Sequence, residues 1–131
     1  MIGLDTNVLV RYIMQDDAKQ SAKATALIES LDDAGGGYVT LVAILELSWV
    51  LSSNYELTRD QVAMALDGIL RTRQFTIEQA DQVLRALRVF KVGKSDFADC
   101  LIERSAASAG CERTMTFDVN ASRHAGMTLI Q

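Results

Sequence analysis

Very short apolar segments alternate along this chain with longer stretches of helical periodicity, and that alternation constrains the fold more than any other feature. Residues 2–4, 38–40, 75–77, 114–117 and 128–130 read as strands. Between them lie segments with helix start and stop signals. Asn7 is a candidate cap for a helix over residues 8–14, and Asp16 or Asp17 for one carrying Ala22, Ala26, Leu27 and Leu31 at helical spacing. An apolar helix is expected over residues 42–53. Thr58 and Gln61 form a capping box opening a helix to Arg73. Residues 80–90 form an amphipathic helix, and residues 97–109 another that stops at Gly110. Brief strands separated by helices imply a parallel sheet covered on both faces, a three-layer α/β/α arrangement. At 131 residues the chain suits one domain, 1–131.

With 49% hydrophobic and 23% charged residues, disorder is excluded. No apolar run approaches the roughly 18 residues of a membrane span, so no membrane partner is expected. Met1-Ile2-Gly3-Leu4-Asp5 lacks the basic start of a signal peptide. Cys100 and Cys111 have neither CxxC nor zinc spacing and read as reduced thiols, which points to a cytoplasmic protein. Thirteen Lys and Arg against 17 Asp and Glu give a net charge of −4. Bulk positive charge therefore does not hold nucleic acid here.

In parallel α/β sheets, ligands bind beyond the carboxyl ends of the strands. Asp5 and Asp118 each end a strand, although either also serves as a turn or cap residue. Glu46 is the only charged residue between Tyr38 and Tyr55, with Val42, Ala43, Trp49 and Val50 as its helical neighbours. In such an apolar stripe a carboxylate needs a cation or hydrogen-bond donors; a structural ion pair is the alternative to a metal. Asp96 and Asp99, three apart, share one face of a first helical turn, where an N-cap and a dipole-favoured acid produce the same pair. Asp99, inside the helix, is the stronger catalytic candidate and Asp96 the stronger cap. Carboxylates gathered in one pocket raise each other's pKa unless neutralised, and the neutraliser suited to oxygen donors is Mg²⁺ or Mn²⁺. Such ions share their coordination with substrate phosphates, which suggests phosphodiester chemistry.

These residues resemble the PIN-domain ribonucleases, and among them the VapC-type toxins of toxin–antitoxin pairs. The likeness covers nearly the whole chain. It rests on a strand running into Asp5-Thr6-Asn7-Val8-Leu9, an apolar helix with Glu46, Asp99-Cys100-Leu101-Ile102 opening a helix, and Thr116-Phe117-Asp118 ending a strand. The resemblance implies a PIN-like fold and a Mg²⁺-dependent endoribonuclease in which Asp5, Glu46, Asp99 and Asp118 gather one or two ions. Asp96 is an additional acid. It further implies that Thr6, Asn7 and Thr116 support the acids by hydrogen bonds, that the protein is a homodimer, and that an antitoxin silences it.

In-line attack by an activated water would leave a 5′-phosphate and a 3′-hydroxyl. Arg11, Lys91, Lys94, Arg113 and Arg123 are candidate phosphate contacts, each also readable as ordinary surface charge. His124 reads as a surface or helix-end residue, and the apolar run at residues 62–66 as a candidate interface. A haloacid-dehalogenase-like phosphatase would need a second Asp where Asn7 stands. A receiver domain would need an acid beside Asp5, and a non-catalytic PIN-like interaction domain would have no use for the acids. Setting the five candidate acids aside leaves 12 acids against 13 bases, so the charge of −4 becomes +1. The acidity belongs to one expected pocket rather than to the surface.

Overall fold

In the computed structural model, which describes residues 1–131, β1 (Ile2–Gly3) pairs in parallel with β2 (Gly37–Val39), and β2 pairs in parallel with β3 (Phe75–Ile77). The register sets Ile2 opposite Gly37 and Gly37 opposite Phe75. The intervening helices are α1 (Thr6–Met14), α2 (Ala18–Glu29), α3 (Leu41–Trp49) and α4 (Arg59–Arg71). Together they form the first of two compact units, Met1–Glu78. Its core is aliphatic, with Leu9, Ile28, Leu31, Ile44, Leu47, Leu51, Leu66 and Ile69 almost fully buried.

The second unit, Gln79–Gln131, contains α5 (Ala80–Val92), α6 (Phe97–Ser108), β4 (Met115–Thr116), α7 (Val119–His124) and β5 (Thr128–Leu129). Helices α5 and α6 pack through Val83, Leu87, Phe90, Phe97 and Leu101, and the Phe90 and Phe97 rings meet edge to face at 5.8 Å. Strands β4 and β5 are parallel. Cys100 is buried with its Sγ 3.0 Å from Ser95 Oγ, Cys111 is exposed, and neither forms a disulfide.

All five strands lie where the sequence puts them, and several helix details differ. The first helix starts two residues early, because Asp5 rather than Asn7 is its cap. Asp17 caps α2, but the buried face is Ser21, Ala24 and Ile28, not Ala22, Ala26 and Leu27. That helix stops at Glu29, and Leu31–Ala34 tightens into a 3₁₀ turn. The apolar helix is α-helical only to Trp49; Val50–Asn54 widens into a π turn closed by Tyr55 N–H donating to the Val50 carbonyl. The capping box at Thr58 and Gln61 forms as expected. In α4, Val62, Ala63 and Leu66 point into the core, so the run at 62–66 is not a surface patch and only Met64 projects, at 73% exposure. Helix α7 leaves no mark in the sequence, because six residues are too few to carry a periodic pattern. His124 ends it, at a helix end as expected. No helix is long and apolar enough to cross a membrane.

Candidate active site

The first unit holds Asp5 and Glu46 on one cleft. Asp5 caps α1, its Oδ1 accepting from Thr6 N–H at 2.8 Å. Thr6 is buried, and its Oγ1 donates to Glu46 Oε1 at 2.7 Å. One threonine therefore ties the α1 cap to the middle of α3. Glu46 is not buried, which corrects the expectation drawn from its apolar neighbours. The face of α3 that enters the core is Ala43, Ile44, Leu47 and Ser48. Val42, Glu46 and Trp49 share the opposite face, with Val42 67% and Trp49 50% exposed. An apolar composition did not say which side of the helix is covered.

The cleft, about 450 Å³, is lined by Asp5, Thr6, Asn7, Glu46, Arg11 and Tyr55, among others. Asn7 is exposed, and no hydrogen bond joins it to the acids. Arg11 is fixed on the wall: Nε donates to Gln20 Oε1 at 2.7 Å, and Nη1 donates to Asp16 and to the Tyr55 hydroxyl. The Tyr55 hydroxyl in turn donates to Asp16 Oδ2 at 2.8 Å. The Tyr55 hydrogen bond and the Arg11 charge hold the Asp16 carboxyl below the usual range. Nothing in the sequence links Tyr55, Gln20 or Asp16 (there only a candidate cap) to Arg11, since only the fold brings them together.

The second unit holds the remaining acids. Asp96 caps α6, accepting from Ala98 N–H at 3.1 Å, as expected of the outer member of the pair. Asp99 lies half-buried in the first turn, and its pKa is raised by burial first, then by the charges of Asp96 and Asp118. Asp118 caps α7 through Oδ1, which accepts from Asn120 N–H at 2.8 Å and Ala121 N–H at 3.3 Å. Thr116 supports this turn by accepting from Asp118 N–H at 3.0 Å. Lys94 and Arg113 are exposed, and the Lys94 carbonyl accepts from the Asn120 side chain.

A common arrangement emerges. Asp5, Glu46 and Asp118 are each aimed by hydrogen bonds to one carboxylate oxygen, and the other oxygen makes none. Asp99 accepts no hydrogen bond within the chain and carries repulsion that nothing relieves. No group of three or more histidine, cysteine or carboxylate side chains is closed around a metal position. In each unit the side chains offer hard carboxylate oxygens, a chemistry that suits a hard cation completed by waters and phosphate oxygens rather than a cage of soft ligands.

The sequence model of the PIN domain matches residues 2–127, which takes in both units. The chain belongs to the PIN-domain family. A VapC ribonuclease of Aquifex aeolicus (strain VF5) is 24% identical over 115 residues, an alignment covering 87% of this chain and 84% of that protein. For this PIN domain the α/β fold class expected from strand and helix alternation stands, with parallel pairing throughout.

Proposed function

We propose that this PIN domain is a Mg²⁺- or Mn²⁺-dependent endoribonuclease, acting as one domain over residues 1–131 and as the toxin of a toxin–antitoxin pair. The observation that carries the reading is the set of carboxylates aimed through one oxygen and open at the other. The similarity to a VapC ribonuclease supports RNA as substrate and an antitoxin as partner. That Asp5 and Glu46 act in the same reaction as Asp99 and Asp118 rests on the family match, which runs through both stretches as one domain. The same reading takes the protein as a cytoplasmic homodimer.

Asp5, Glu46, Asp99 and Asp118 would hold the cation, with Asp96 as an additional acid. When bound, the ion supplies Lewis-acid activation of water and neutralises charge building on the phosphodiester. Thr6 holds the Glu46 carboxylate by donating to Oε1, and Oε2 accepts no hydrogen bond within the chain. The Thr6 N–H does the same for Asp5, and the Asn120 and Ala121 N–H groups for Asp118. Thr116 holds the Asp118 turn, and Asn7 lines the same cleft as Asp5. Arg11 offers a guanidinium to a phosphate on the cleft wall; Lys94 and Arg113 would meet the strand elsewhere.

The test is incubation of the purified protein with RNA in Mg²⁺ or in EDTA, beside Asp5→Asn and Asp118→Asn variants. Asn is also a good N-cap, so folding is expected to survive. Cleavage in Mg²⁺ that stops in EDTA and falls at least a hundredfold in both variants is the expected result. Cleavage that persists in EDTA, or in both variants, overturns the metal-nuclease reading. No cleavage of any RNA would leave a PIN domain that only binds a partner.

A further inference from the structure

Helix α7 has only six residues, too few to hold a place by its own backbone. Yet its cap, Asp118, stands close enough to Asp99 for the two charges to oppose each other, with Asp96 adding to the repulsion. What keeps α7 there is the turn between α5 and α6.

Asn120, at the start of α7, is used twice. Its backbone N–H donates to Asp118 Oδ1 at 2.8 Å, and its side-chain Nδ2 donates to the Lys94 carbonyl at 3.2 Å. At the end of α7, the His124 carbonyl accepts from Ser95 Oγ at 3.3 Å. Ser95 is fully buried, and its Oγ also lies 3.0 Å from Cys100 Sγ, in the first turns of α6. A hydroxyl has one proton to give, so with that proton on the carbonyl the oxygen is left to accept from the thiol. Gly93 lets the segments close up: a Cβ there would stand 3.4 Å from the His124 carbonyl oxygen and 3.2 Å from that of Val89. Ala121, between the two ties, and Ala125, just past them, are buried. Three consecutive residues, Gly93, Lys94 and Ser95, thus receive α7, and the next residue in the chain is Asp96, the cap of α6. Any shift of α7 on this seat moves Asp118 relative to Asp96 and Asp99.

We propose that Asn120 and Ser95 are positioning residues for the acids of the second unit: by tying the two ends of α7 to residues 93–95, they hold Asp118 beside Asp99 and Asp96 against their mutual repulsion, ready to share a cation. The proposal rests on the metal-nuclease reading. It adds to that reading which side chains, outside the acids themselves, decide how well these carboxylates take the ion.

The experiment compares wild type with Asn120→Ala, Asn120→Gln, Ser95→Ala and a control, Gln82→Ala. Gln82 bonds Ser108 at the far end of α6, about 14 Å along the helix from Asp99, so its loss touches the packing of α5 on α6 and not the seat of α7. Mn²⁺ binding to chelator-treated protein is read by electron paramagnetic resonance of the free ion, beside Tm and the Mg²⁺ dependence of RNA cleavage. Asn120→Ala is expected to weaken Mn²⁺ binding about two- to tenfold, the worth of one ordinary hydrogen bond. It should raise the Mg²⁺ concentration for half-maximal cleavage by the same factor and leave KM for RNA unchanged. Asn120→Gln, which keeps the donor, should recover part of the loss, and Ser95→Ala should weaken Mn²⁺ binding in the same direction. Gln82→Ala should lower Tm and keep the Mn²⁺ affinity. If Asn120→Ala binds Mn²⁺ as wild type does, or loses no more affinity than Gln82→Ala, the positioning role is overturned while the metal-nuclease reading stands. If wild type binds no Mn²⁺, both fall. Asn120 is exposed, so its variants carry the test even where Ser95→Ala does not fold.

Discussion

Asp99 carries the clearest cost in the second unit. It is half-buried in the first turn of α6 and faces the charges of Asp96 and Asp118. Burial and repulsion both raise its pKa, so the folded chain binds a proton there more readily than the unfolded chain does. For an acid with that sign of shift, stability falls as pH rises from below the unfolded pKa through the folded one. Replacing the group by an uncharged isostere should lift that cost. Asp99→Asn is therefore expected to melt higher than wild type at neutral pH in EDTA, and at the same temperature when the pH is well below the carboxylate range. Cleavage should be lost in the same variant. Thermal melts at the two pH values check it, and a variant that melts lower at neutral pH would show Asp99 to be structural.

Elements were legible in the sequence where their signals are local. Thr58 with Gln61, and Asp17, satisfy backbone donors three residues away, so the caps form whatever surrounds them. Asp5 and Asn7 compete as caps from nearly the same place, and the choice goes to Asp5, where the chain leaves β1 extended. What did not show was anything decided by tertiary packing: which face of α3 is covered, the partners that hold Arg11, and the six-residue α7. The loop before β2 depends on a backbone requirement instead. Gly36 has φ of +91°, and an added Cβ would sit 3.0 Å from the Gln74 carbonyl oxygen. Gly36 also accepts from Ile2 N–H at 2.9 Å, so its shape fixes where β1 joins the sheet. Gly36→Ala should cost about 1–3 kcal/mol, read as a lower Tm, with cleavage retained below the melting range. An unchanged Tm would mean that the loop relaxes freely.

For the whole molecule, the proposed cation would act on stability as well as on chemistry. A ligand bound only by the folded chain raises stability by about 2.7 kcal/mol at a hundredfold its Kd. Adding Mg²⁺ or Mn²⁺ to chelator-treated protein should therefore raise Tm, and Asp118→Asn should lose most of that rise. A melting curve that neither ion moves would count against a metal site of any geometry. The net charge of −4 has the same origin: five of the 17 acids are these candidates, and the remainder of the chain is close to neutral. On the proposed reading, long-range steering of RNA would depend on the loaded ion as well as on the bases.

The π turn at Val50–Asn54 sets how the chain leaves α3. A π turn is an α-helix with one residue added, and each residue turns a helix by about 100°. That single residue swings everything after it round the axis, Tyr55 included, relative to the uninterrupted helix that the sequence suggests. Deleting one residue between 50 and 54 would let α3 run on regularly and would carry the phenol away from Arg11 and Asp16, with every acid left in place. The aim of the arginine is thus written into the length of the chain at one point, and a change in count there reaches the cleft without substituting any of its acids.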